Sequence, residues 1–485
     1  FLLALAAIPG SVVPQSAQSA MKVSDFAANH PTLDRICRPL GMYHVYTSVW
    51  FSAIYLLLFI SLIGCIVPRI VSHAKALRRQ PPRVPARLDR LAAHASMTTS
   101  ASAAEVSQRA QQWLKSHRYR FVVDDDGSLR AEAGRHRETG NLVFHIFLVF
   151  VLVGVGWNTL WGFKGTSVVV EGQGFSNSIT QYDEFKAGAM VDTDNLTPFS
   201  MKLRKFVVSF ETGTVQRGAA RSFDATVDLT MGGKTQTRDL QVNHPLRIGS
   251  TKVHLLGHGY AADVVVRDGD GKVAYSGPVV FLPQDANFKS VGVIKAPDAR
   301  PDRLAFQGFF LPTGAITAGG PTSLFPDALN PQLYLTAWYG KPTVETGVPS
   351  NIYTLDTTGL TQVTNGKDKA RFVLSPGQRY KLPDGKGSIQ FNGWQRWAKI
   401  QVSQNPGLPL TFLSVVLSVA GLCVSLFSRS RRVWVRTIPG DDGLRVEIGG
   451  LDRSDSRSGA VDDVNSLLAA LHGDSMSGDV GEEHS

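Results

Sequence analysis

The chain has 485 residues, 50 Lys and Arg against 40 Asp and Glu for a formal net charge of +10, and 43% hydrophobic residues. That length suits two to four domains, yet the apolar residues are gathered into long uncharged runs, which excludes a purely soluble cytosolic enzyme. Only 3 Cys are present, which excludes a disulfide-stapled secreted domain.

In chain order, FLLALAAIPGSVVPQ opens the sequence, and residues 1–13 read as the outer half of a truncated first membrane helix. The rival reading is a trimmed signal peptide, for which Ala17 and Ala20 supply small residues but no basic n-region is present. Residues 14–44 follow as an outer loop. Val45 to Pro68, Thr139 to Phe163 and Ile400 to Ser428 each run at least 20 residues without Asp, Glu, Lys or Arg. At about 1.5 Å per residue each can cross a hydrocarbon core of about 30 Å, and the spans are expected at 45–68, 141–163 and 408–428.

Residues 69–140 carry Arg69, Lys75, Arg78, Arg79, Arg83, Arg87 and Arg90 close behind a span, and residues 429–485 begin with Arg429, Arg431, Arg432 and Arg436. The positive-inside rule places both segments in the cytoplasm and residues 164–407 outside. The basic excess is thereby explained without nucleic acid, since no interleaved aromatic pattern of an RNA or DNA reader accompanies it; basic loops also attract anionic membrane lipid. Within the loop, AAEVSQRAQQWLKS has helical spacing and RFVV-DDDG-SLRAE reads as strand, turn and strand, a small α+β part. Asp124 to Asp126 do not make a calcium loop, because the twelfth position holds Arg135. From Thr437 the tail is rich in Gly, Ser and Asp and is expected to be largely disordered.

The 164–407 segment repeats short Val, Phe and Tyr runs between Gly, Asn and Asp turns, which predicts an antiparallel, sandwich-like β domain. The three cysteines, Cys37, Cys65 and Cys423, lie outside it, so thiol chemistry is absent from this domain. His254 and His258 match H-x-x-x-H, but on an extended strand they share a face about 13 Å apart, too far for one ion. A G-x-S-x-G elbow, a Walker loop, a GxGxxG fingerprint and an H-E-x-x-H helix are all missing, so no catalytic residue is assigned. Trp157 and Trp161 after one span, and Trp394 and Trp397 before the next, read as outer aromatic girdles.

His145 lies a few residues inside GNLVFHIFLVFVLVGVGW. An ionisable group within a span is a functional candidate by default, and neutral imidazole ligates haem iron without a counter-charge. The bland alternative is an interfacial histidine bonded to a neighbouring helix. His44, in GMYHVYTSVWF, is the second candidate; interfacial anchoring beside Tyr43, Tyr46 and Trp50 also explains it. The two lie at opposite faces of the bilayer, about 25 to 30 Å apart in depth, and cannot clamp one iron.

Taken in order, FLLALAAIPGSVVPQ, VYTSVWFSAIYLLLFISLIGCIVPR, FHIFLVFVLVGVGW with GTSVVVEGQGF, VNHPLRIGSTKVHLLGHGYAADV and FNGWQRWAKIQVSQNPGLPLTFLSVVLSVAGLCVSLF resemble the ResB family of cytochrome c biogenesis proteins, from Phe1 to about Arg436. The resemblance implies a multi-pass plasma-membrane protein of four transmembrane helices with a large extracytoplasmic β domain. It implies a ResC-like multi-span partner, haem in transit, and apocytochrome c as client, its CxxCH cysteines joined to the haem vinyl groups in the System II pathway. It makes His145 the first candidate for an axial ligand and the chain an accessory subunit of a haem-attachment complex. A scaffold that never touches haem remains the alternative.

Overall fold

The computed structural model describes residues 2–16, 20–342, 354–440, 443–452 and 458–472. The chain divides into two compact units, residues 1–156 with 407–485, and residues 157–406.

The first unit holds every helix core. Its elements are α1 (Leu2–Val12), α2 (Ala20–Asn29), α3 (Pro31–Cys37), α4 (Val49–Arg78), α5 (Ala103–Ser116), α6 (His136–Trp161), α7 (Leu408–Phe427) and α8 (Ser458–His472). Among the described residues three helices, α4, α6 and α7, are long and apolar enough to cross a membrane. The 11-residue α1 is helical but falls short of that length, so the expected count of four is not established. Residues 14–44 are not a plain loop, because α2 and α3 lie within them.

Helix α4 starts where Ser48 caps the Phe51 amide, after a 3-10 turn at Met42–Thr47, and it runs through Pro68 to Arg78. It runs ten residues past the end of the uncharged stretch 45–68, because charge limits burial in lipid and does not limit helix formation. Gly10 of α1 packs on the Tyr46 ring, where a Cβ would come within 2.8 Å of it. Gln15 pins the same turn by accepting from the Val45 amide and donating to the Met42 carbonyl.

Beyond α4 the expected helix is α5, its Ser102 and Glu105 forming a reciprocal capping box, and the expected hairpin pairs Arg120–Val123 with Leu129–Ala133. The tail departs from expectation. Arg431–Gly440 and Gly443–Asp452 form a hairpin inside a five-stranded antiparallel sheet, between Leu129–Ala133 on one side and Ala93–Thr99 on the other. Helix α8 then packs with α5 over one core that includes Met97, Val106, Leu114, Leu129, Val435, Ile448 and Leu467. The tail holds too few apolar groups to fold alone. It orders by completing a core begun some 300 residues earlier, and so the expectation of a disordered 429–485 fails for 431–440, 443–452 and 458–472.

The second unit is almost wholly β. Two 18-residue strands, Thr251–Asp268 and Gly387–Gln404, pair antiparallel along their length and run through two separate cores. One core, around Tyr260, Phe281, Phe306, Phe310 and Phe391, is wrapped by a curled sheet whose ends return through Arg371–Leu374 and Arg379–Lys381. The other, around Phe175, Phe206, Val227 and Val402, is covered by a second sheet of four strands ending in the edge strand Lys234–Gln241. Burying each of the large aromatic groups contributes about 1.5–3 kcal/mol, enough that this unit needs no disulfide.

Candidate functional site

Helix α6 carries His145, and its surroundings follow from what α6 packs against. Toward α7 the contact is backbone-close. A Cβ on Gly140 would stand 2.6 Å from the Gly421 carbonyl oxygen, one on Gly421 would stand 2.8 Å from the Phe144 amide, and the Ser418 hydroxyl donates to the Phe144 carbonyl at 3.3 Å. Small residues at Ser414, Ser418 and Gly421 permit this approach, as in lipid-embedded helix pairs generally. Toward α4 the contacts are the His73 Nε2 with the Thr139 hydroxyl at 3.0 Å, the Tyr55 hydroxyl donating to the Leu152 carbonyl at 2.6 Å, and an apolar hollow of about 150 Å³. Ile63, Ile66, Val67, Ile146, Val149 and Phe150 line that hollow.

At 3.6 residues per turn, the α7 contacts (Gly140, Phe144, Gly154) and the α4 contacts (Thr139, Ile146, Val149, Phe150) occupy two sides of α6. His145 falls on a third, with Asn141, Leu148 and Leu152; it is half-buried there, and Tyr55 of α4 reaches the same side at the Leu152 carbonyl. Its Nδ1 lies 2.8 Å from the Asn141 carbonyl oxygen. A carbonyl only accepts, so Nδ1 bears the proton and Nε2 presents its lone pair, with no partner among the described residues. This is the tautomer a metal-ligating histidine adopts when a backbone carbonyl orients it.

Below His145, toward the start of α6, lies a polar cavity of about 430 Å³ lined by Gly134, Arg135, Arg137, Glu138, Asn141, Ser425 and Ser430. Arg135 is engaged, pairing with Glu132 at 3.3 Å and donating to the Ala76 carbonyl. The side chains of Arg137, Asn141, Ser425 and Ser430 have no hydrogen-bond partner among the described residues. In the sequence Arg135 stands out only as the twelfth position of a rejected calcium loop and Arg137 not at all, and His73 passed unremarked because it sits beyond the uncharged run. Unspent donors at a cavity wall are visible only once α6 and α7 are placed together.

His44 is elsewhere. It is exposed, in the 3-10 turn ahead of α4, with a locally non-helical backbone. Ile146 shares its hollow with Ile66, 17 residues into α4, so His145 and His44 stand more than roughly 26 Å apart along that helix. The structure does not bring the two together.

In the β unit two expectations change. Trp394 and Trp397 lie on the strand Gly387–Gln404; Trp397 is buried and donates to the Tyr260 carbonyl at 3.0 Å, and Trp394 packs on the same core. They are core residues of a sheet, not a girdle. His254 and His258 do not share a face, because Leu256 is an extra residue in the ladder. The bulge turns His258 into a cluster with Phe206, Phe210, Phe223 and Phe288. Burial there, with the Arg396 charge second, holds the His258 pKa down to about 4. Arg396 itself is buried against the faces of Tyr260 and Trp394 and pairs with Asp327 at 2.7 Å. Among the described residues no group of three or more His, Cys, Asp or Glu converges on a metal position.

A model of the ResB-like family matches residues 1–461 of the chain. The cytochrome c biogenesis protein CcsB of Synechococcus sp. (strain JA-3-3Ab) is 24% identical over 443 residues, which span 89% of this chain and 80% of that protein. CcsB of Nostoc sp. (strain PCC 7120) is 24% identical over 460 residues, 93% of this chain and 84% of that one. CcsB of Microcystis aeruginosa is 22% identical over 461 residues, with 93% and 87% spanned.

Proposed function

The chain belongs to the ResB-like family, and on that premise we propose that it is a membrane subunit of cytochrome c biogenesis that handles haem in transit. In this reading α4, α6 and α7 span the plasma membrane and α1 is part of a first span. The arginine-rich segments 69–140 and 429–485 face the cytoplasm, and the Lys164–Gly407 segment faces outside. A ResC-like multi-span protein supplies the rest of the haem path, and apocytochrome c receives haem at its CxxCH cysteines.

The observation that carries the reading is His145. Its Nδ1–H is committed to the Asn141 carbonyl, which leaves the Nε2 lone pair without a partner among the described residues and set apart from the close α7 contacts and from the hollow shared with α4. An iron held there would draw its other ligand from the partner. Thioether formation then requires thiols and vinyls in near-attack geometry, which positioning alone promotes, so this subunit needs no catalytic triad. The β unit supports client binding through its edge strand Lys234–Gln241, paired on one side only and exposed at almost every position.

Co-purification with the ResC-like partner tests this. The wild-type complex is expected to show a low-spin, histidine-ligated haem spectrum and to transfer haem to apocytochrome. His145→Ala is expected to lose that spectrum while the complex stays assembled. Unchanged spectrum and transfer would leave this chain as the scaffold of the alternative reading.

A further inference from the structure

The cavity at the start of α6 has the chemistry of an oxyanion site. Arg137 supplies an unpaired guanidinium, Asn141 an amide, and Ser425 and Ser430 two hydroxyls, all without partners among the described residues and all on one wall system of about 430 Å³. Glu138, the one carboxylate on the lining, is exposed to solvent, whereas the second cation, Arg135, is held in place by Glu132 and by the Ala76 carbonyl. All four side chains are half-buried and open to the cavity, and a planar guanidinium is suited to carboxylate and phosphate alike.

Position selects between those anions. Asn141 belongs both to the cavity lining and, through its carbonyl, to the orientation of His145 one turn further along α6. One helical turn is about 5.4 Å. A porphyrin carries both carboxylates on a single edge, so an iron at Nε2 with that edge turned toward the start of α6 directs two oxyanions at this cavity. We propose that the cavity formed by Arg137, Asn141, Ser425 and Ser430 is the propionate-binding site for haem held at His145. It sets which edge of the macrocycle leads and which, the vinyl edge, is left toward the far end of α6. The inference rests on the haem reading above and goes beyond it by assigning the orientation of the cargo and the residues that impose it.

The test compares haemin with haemin dimethyl ester, which keeps iron and ring but has no carboxylates, on the full-length chain in complex with its partner. Wild type is expected to bind haemin about tenfold more tightly than the ester, the worth of one charge-assisted hydrogen bond. Arg137→Gln should abolish that preference while the histidine-ligated spectrum persists, and Arg137→Lys should restore most of it. If Arg137→Gln does not assemble, the double variant Ser425→Ala, Ser430→Ala decides, with an expected narrowing of the preference by about threefold. A preference unchanged in these variants overturns the assignment. So does a loss confined to retention of phosphatidylglycerol from defined vesicles, which would make the cavity a lipid headgroup site. His145→Ala separates the two levels: loss of the haem spectrum upholds the haem reading whatever the ester result, and an unchanged spectrum removes that reading and the propionate site with it.

Discussion

The five-stranded domain of the first unit and the β unit of residues 157–406 both bury one face of antiparallel sheet, but they draw on the chain in opposite ways. The β unit is contiguous, and its two long strands pass through aromatic cores supplied wholly from within it. The small domain is stitched from residues 88–135 and 431–472, which flank α6, the β unit and α7 in the chain. Its seam adds polar links to the shared apolar core: Arg431 pairs with Asp463 at 2.8 Å, and Tyr119 donates to the same carboxylate at 2.6 Å. Burial first, and that bond second, push the Tyr119 pKa well up, so the phenol stays protonated as a donor. A contiguous core depends on its own apolar volume, whereas a discontinuous one depends also on the specific links that hold its two pieces together.

The largest effect should come from removing one piece. A chain ended after Ser428 is expected to leave residues 93–133 unprotected in hydrogen exchange while the β unit keeps its protection; protection surviving in both would break the comparison. Next, Phe310→Ala, which empties space beside Tyr260 and Phe391, should destabilise the β unit by about 3–5 kcal/mol, read as a shift in its unfolding transition without any change in the small domain.

The buried histidine gives the β unit a pH dependence of definite sign. A base whose folded pKa is lowered favours its neutral form, so the stabilisation is fully present above the ordinary value near 6.5 and is lost as pH falls toward 4. At 1.36 kcal/mol per pKa unit the loss approaches about 3 kcal/mol. His258→Phe should flatten the stability profile of this unit between those limits, and an unflattened profile would move the titration to another group. Smallest, Asp463→Asn at the seam should cost the small domain about 2 kcal/mol, since Arg431 and the Tyr119 hydroxyl lose a common partner that is itself partly solvated. An effect spreading to the β unit would show that the two do not unfold independently.

How much of this was legible depends on range. Spans α6 and α7 were readable because a membrane core demands some twenty consecutive uncharged residues, a purely local property. The hairpin at 120–133 and the β character of the outer segment were readable from alternation and turn residues, also local. The hairpin of Arg431–Asp452 carries the same alternation, at Val433, Val435, Val446 and Ile448, but the Gly- and Ser-rich surroundings masked it. Trp397 and His258 were misplaced for a related reason: a single bulge residue or a strand running up to a span changes which side a side chain faces, and neither shows in composition.

By itself, then, the sequence determined the segments long and apolar enough to cross a membrane, the asymmetry of basic residues around them, the β-rich segment between α6 and α7 and the presence of a histidine within one apolar run. These follow from hydropathy, charge and periodicity over a few turns of chain. Only the tertiary structure decided that the tail completes a sheet with the loop behind α4, that Nε2 of His145 is the free nitrogen, and that Arg137, Asn141, Ser425 and Ser430 line one cavity. These join residues separated by as little as one helical turn and by as much as some 360 positions, and the cavity among them exists only when α6 and α7 close on their glycines and serines.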